Sequence, residues 1–219
     1  MKEKISQEGI MELLKMLYDQ SITGIEKVSP PVEVLANNYL DKYDDLDSAA
    51  KSFVNYQVVK CTTSGFLTGL GGLITLPVSI PANIGSVLYV QMRMIATLAY
   101  MGGYDTKSDQ VQTLVYTCLA GISIDKILKQ AGIKFGNKLA NGMIRKIPGT
   151  VLVKINQKVG FRFVTKFGSK GLINLGKAVP IVGGVIGGGF DFVETKAIAK
   201  RAYKLFIKEE FSVLSDGNA

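Results

Sequence analysis

Histidine and tryptophan are absent from the 219-residue chain, and cysteine is limited to Cys61 and Cys118. Without histidine, the commonest zinc ligand, the usual acid/base group near neutral pH and the base of a serine triad are all missing. Two cysteines in apolar surroundings are too few for a disulfide framework and read as small buried hydrophobes. There is no GxSxG elbow and no Cys/His pair, so no catalytic residue is assigned and no metal or cofactor is expected. The start, MKEKISQEGI, has cations but no apolar run behind them. A secretory signal is therefore not read there, and a cytoplasmic location is expected.

Charge is missing from one long stretch and acid from another. The 32 residues between Lys60 and Arg93 carry no charge and include five glycines and two prolines. Such a run belongs in a core or in lipid. From 126 to 190 there are twelve bases and no acid, whereas residues 1 to 50 hold ten acids and five bases. A one-signed surface of that kind suits an anionic partner, a lipid headgroup or a nucleic acid. With 47% hydrophobic residues, a mean hydropathy of +0.23 and 20% charged residues, the composition lies between a typical cytosolic enzyme and a bundle of membrane spans.

What is present is mostly helical periodicity. Ile10, Leu13, Leu14 and Leu17 share one helix face over about 7–21, and Gly24 ends that helix. Ser29 and Pro30 read as the cap and first turn of a short helix to Lys42, and Asp47 as the cap of the next, with Ala50, Phe53, Val54, Gln57 and Val58 inward. A helix over about 81–101 carries Ser86, Tyr89, Arg93, Thr97 and Tyr100 as one polar stripe on an apolar cylinder, and is expected to be central. Thr106 with Asp109 reads as a capping box for a helix to about Ala120. Beyond it, glycines including Gly160 punctuate short helices, with Val151, Val153 and Ile155 read as helical. Residues 191–208 read as an amphipathic helix with Val193, Ala197, Ile198, Ala202 and Leu205 inward.

The glycine clusters GLGG at 69–72 and GGVIGGG at 183–189 lack the strand and Lys-Ser/Thr context of a phosphate loop. The four-residue spacings of Gly65/Gly69, Gly183/Gly187 and Gly184/Gly188 instead suit close helix packing. Arg93, set in an apolar helix, needs partners, and Asp191 is the expected one, with Asp105 or Asp109 next. The basic belt comprises Lys126, Lys129, Lys134, Lys138, Arg145, Lys146, Lys154, Lys158, Arg162, Lys166, Lys170 and Lys177. Phe161, Phe163 and Phe167 interleave with it and are candidates for insertion into a membrane interface. The belt is also readable as an ordinary solvated surface.

Three blocks, GFLTGLGGLITLPVSIPANI at 65–84, VQMRMIATLAYMGGYD at 90–105 and VLVKINQKVGFRFVTKFGSKGLINLGKAVPIVGGVIGGGFD at 151–191, closely resemble the EcsC protein family, named for the third product of a bacterial operon encoding an ABC transporter. The similarity covers roughly residues 10–207. It implies a bacterial helical protein acting at the cytoplasmic membrane and supplies no catalytic residues.

Together these features predict one all-α globular domain over 1–219, with an ordered core at 10–207, a tail at 208–219 and the two glycine-rich segments packed at its centre. The expected function is a non-enzymatic, amphitropic factor docking on anionic membrane lipid through the belt and an apolar glycine-rich segment, located in the cytoplasm and peripheral to the cytoplasmic membrane. An integral membrane protein such as an ABC transporter is a second candidate partner. The alternatives are a lipid- or small-molecule-processing enzyme with a polar pocket around Arg93 and Asp191, and, third, a nucleic-acid-binding module.

Overall fold

The sequence of Ala82–Met101 is apolar on nearly every side, so this helix is stable only when surrounded. In the computed structural model, which describes residues 6–61, 82–133, 141–167 and 186–211, every residue from Leu88 to Ala99 is buried. Side chains are described for 6–59, 85–133, 142–166 and 193–211. In chain order the helices are α1 (Gln7–Thr23), α2 (Val32–Leu40), α3 (Leu46–Cys61), α4 (Ala82–Met101), α5 (Asp109–Ala120), α6 (Asp125–Gln130), α7 (Asn141–Ile144), α8 (Gly149–Phe167) and α9 (Ile186–Phe206). Among the described residues there is no β-strand, only an isolated bridge between Ile25 and Ser29. The fold is all-α, and α4 is its axis, packed against α1, α2, α3, α5 and α9. Among the described residues, one apolar cluster draws buried side chains from each of these helices. Of the glycine-rich segments expected at the centre, 65–81 and 178–185 lie outside the described residues, and 186–190 opens α9.

Local chemistry sets the helix ends. The Ser6 side chain accepts from the Gly9 N–H at 3.0 Å and caps α1. At the other end Gly24 has φ +81°, and a Cβ there would lie 2.4 Å from the Ser29 carbonyl oxygen. Only glycine permits that return of the chain. Ser29 consequently does not cap α2. Its hydroxyl is taken up by the Ile25 N–H and the Tyr89 hydroxyl, and α2 starts at Val32. Two further caps sit two residues away from expectation. Asp45 rather than Asp47 accepts from the Ser48 N–H at 2.9 Å, and Ser108 rather than Thr106 accepts from the Val111 N–H at 3.3 Å. In each case the capping residue is the one directly before the first helical residue, Leu46 or Asp109, where a side-chain oxygen reaches the free N–H groups of the first turn.

Close approach explains other glycines. A Cβ on Gly102 would lie 2.2 Å from the Phe206 carbonyl oxygen, so the α4 end and the α9 end touch backbone to backbone. Tyr104 and Phe206 stack edge-on beside them at 5.3 Å. Gly160 does not interrupt a helix as expected. It lies inside the 19-residue α8, where a Cβ would meet the Gln7 Cγ at 2.7 Å, and so lets α1 and α8 approach. The inward face of α9 is rotated from expectation: Thr195, Ile198, Ala199, Ala202, Leu205 and Phe206 are buried, whereas Val193 and Ala197 are exposed.

Candidate functional site

The polar stripe of α4 is a structural seam. Gln91 donates to the Thr195 hydroxyl at 2.9 Å, Thr97 to the Arg93 carbonyl at 2.8 Å, and Tyr89 meets Ser29 at 2.7 Å. Arg93, 6% exposed, donates through one guanidinium nitrogen to the Ser21 carbonyl at 3.0 Å and through the other to the Pro30 carbonyl. Burial lowers its pKa, and the Tyr89 hydroxyl beside it acts the other way. Ser21 lies in the last turn of α1, where carbonyls lack intrahelical donors and the helix dipole is negative. That field supplies what a carboxylate was expected to supply. Asp105 and Asp109 are not among its described partners, and the Asp191 side chain lies outside the described residues. Arg201 repeats the device at α5, donating to the Cys118 carbonyl at 3.0 Å.

The belt divides into three groups. Lys134, Lys138, Lys170, Lys177 and the Phe167 side chain lie outside the described residues. Lys126 and Lys129 are exposed on α6, and Arg145 and Lys146 follow α7. Lys154, Lys158, Arg162 and Lys166 form an i, i+4 row along α8, each about 6 Å further along the axis. Helix α8 contains no acid. Its buried side, Val151, Ile155, Val159 and Phe163, packs toward α1 and α5. Phe163 is 2% exposed and therefore a core residue, while Phe161 is 64% exposed, with Val153 exposed two turns earlier on the same side. Lys158 donates to the Ser123 carbonyl at 2.5 Å, which sets the α5–α6 turn beside the row.

The belt is less one-signed than its own stretch of sequence. Lys129 pairs with Asp125, and Lys166 with Glu194 on α9. Both acids stand outside the acid-free stretch and were therefore missed. Between α1 and α8 a wide groove of about 690 Å³ is lined by Gln7, Glu8, Met11, Val153, Gln157 and Phe161, among others.

A second groove, of about 460 Å³, lies between α3 and α9. Its residues on α3 are Lys51, Val54, Asn55, Val58 and Val59, and on α9 Lys196, Ala199, Lys200 and Tyr203. Asp47 at the start of α3 accepts from Tyr203 and pairs with Lys208, both at the far end of the α9 segment, so the two helices run antiparallel. Those contacts, with Lys51, hold the Asp47 carboxyl below its ordinary range. No sequence signal marked this groove, because its two walls are more than a hundred residues apart.

Among the described residues no helix is long and apolar enough to cross a membrane, and no cluster of Cys, Asp or Glu could hold a metal ion. No curated protein and no solved structure matches the chain. The EcsC protein family model matches residues 6–208, from the α1 cap to the end of the α9 segment. With nearly the whole described fold inside that match, the chain belongs to the EcsC protein family.

Proposed function

We propose that the protein is a non-enzymatic, peripheral membrane-binding factor of the cytoplasmic membrane surface, docking on anionic lipid through the outer face of α8. The supporting observation is the acid-free row of Lys154, Lys158 and Arg162 beside the exposed Phe161 ring. Lysine and arginine near an anionic surface contribute about 1 kcal/mol each, and an aromatic side chain beside them enters the headgroup boundary. Lys126, Arg145 and Lys146 extend the positive field. An ABC transporter or another integral membrane protein would then be met on that surface, in keeping with the operon for which the family is named. An enzyme reading would need a polar pocket at Arg93, and neither groove described is lined by that residue.

Co-sedimentation with phosphatidylglycerol-containing vesicles tests this reading. Binding is expected at low salt and is weakened as salt shortens the Debye length. Neutralising two of the row, K154Q/R162Q, removes about 2 kcal/mol, a loss of roughly thirtyfold in partitioning. Equal binding to neutral vesicles, or tighter salt-sensitive binding to DNA or RNA, overturns it.

A further inference from the structure

The α3–α9 groove combines two features that α8 does not. Its floor is aliphatic, Val54, Val58 and Ala199, with Val59 at its mouth. Val59 is 61% exposed although it adjoins the buried Val58. Above this floor stand Lys196 and Lys200, one helical turn apart on α9. The acids nearest in sequence and at the groove end are already engaged, Glu194 by Lys166 and Asp47 by Lys51, Lys208 and Tyr203. Among the described residues neither Lys196 nor Lys200 has a carboxylate partner.

The occupant that fits must bring an anion and an apolar body, and must ask for few further hydrogen bonds. Both walls are helices, whose main-chain groups bond internally. Asn55 is the one uncharged amide in the lining. An extended peptide would leave its own amides unpaired there, whereas an alkyl chain has none to satisfy. The volume falls within the roughly 300–1,000 Å³ of small-molecule sites.

We propose that this groove binds a long-chain fatty acid, its carboxylate at the Lys196 and Lys200 ammonium groups and its chain along Val54, Val58 and Val59. None of the lining residues belongs to α8, so the site is independent of vesicle docking. It gives the protein a soluble anionic amphiphile as a second ligand.

The absence of tryptophan provides the assay. Val59→Trp installs a single fluorophore at the groove mouth without disturbing the core, and Phe161→Trp serves as the matched reporter on α8. Sodium oleate, titrated below its critical micelle concentration into the full chain, is expected to give a saturable blue shift with the Val59 reporter and none with the Phe161 reporter. Methyl oleate and oleylamine, which lack the anion, are expected to bind about tenfold more weakly or worse. K196E/K200E in the reporter background is expected to weaken oleate by at least tenfold, with an unchanged far-UV spectrum, while K154Q/R162Q leaves it unaltered. The proposal is overturned by absence of saturable binding, by methyl oleate binding as tightly as oleate, or by indifference to K196E/K200E. It is also overturned if sedimentation shows a dimer that Val59→Asp dissolves and oleate does not compete with, since the groove would then seat a second copy.

Discussion

Replacing Arg93 by Met would remove a cation whose described partners are main-chain carbonyls, and the size of the effect follows from those partners. Two acceptors, the carbonyls of the buried Ser21 and of the exposed Pro30, lose charged donors. Hydrogen bonds to charged groups contribute about 1.5–3 kcal/mol each, a gross loss of about 3–6 kcal/mol. Against this stands the relief of a desolvated guanidinium, whose lowered pKa reports that burial disfavours its charge. Replacing buried ionic groups by apolar ones can return about 1–4 kcal/mol. The expected net is a destabilisation of about 2 kcal/mol, or about 4–8 °C in Tm for a chain of this size. Urea unfolding followed by far-UV circular dichroism measures it. Arg93→Lys should lose part of the same stability, because one ammonium lacks the fork that spans two carbonyls. Hydrogen exchange should show that the hairpin at 24–31 loses protection first. A variant as stable as the wild type, or more stable, would refute the view that Arg93 clamps the end of α1 to the turn before α2.

Gly102→Ala places a methyl against the Phe206 main chain and should cost about 1–3 kcal/mol by overpacking. Gly160→Ala meets only the Gln7 side chain and should be close to neutral, because the gain in helix propensity of about 1 kcal/mol offsets that crowding. Urea midpoints of the pair check both, and equal effects would remove the distinction between a backbone contact and a side-chain contact. Burial pushes the Cys118 thiol up to about 12, so in a Cys61→Ser background it should resist iodoacetamide at pH 8 until the protein unfolds. Rapid native alkylation would contradict its burial. The Asp47 carboxyl is held below its unfolded value, near 3.9, by Lys208, Lys51 and Tyr203. Its stabilising contribution is therefore present above about pH 5 and is lost as pH falls. The stability gap between wild type and Asp47→Asn should narrow between pH 5 and pH 2, and a gap that widens on acidification reverses the sign.

Helix existence and helix type were legible because the periodic apolar face that marks a helix is also the face that is buried. Ile10, Leu13, Leu14 and Leu17 were found on α1 in this way, and Ala82–Met101, apolar apart from one narrow polar stripe, announced its central place. Caps were less legible, since Ser29, Asp47 and Thr106 have the right side chains but none of them is the residue directly before a helix. On α8 the sequence marked the cations but not their exposure. Phe161 and Phe163 are two residues apart, about 200° around a helix, so one faces solvent and the other the core.

The sequence by itself determined the all-α class, the helical segments, the buried Arg93 and the acid-free run, because each depends on residues near one another in the chain. Family membership was likewise legible in the sequence blocks and is borne out over residues 6–208. Only the tertiary structure decided what meets what: that α1's C-terminal carbonyls receive Arg93, that Glu194 neutralises the belt's Lys166, and that α3 and α9 enclose a groove. Those outcomes depend on which helix ends are brought together across long separations, and a local pattern carries no information about the partner on the other side.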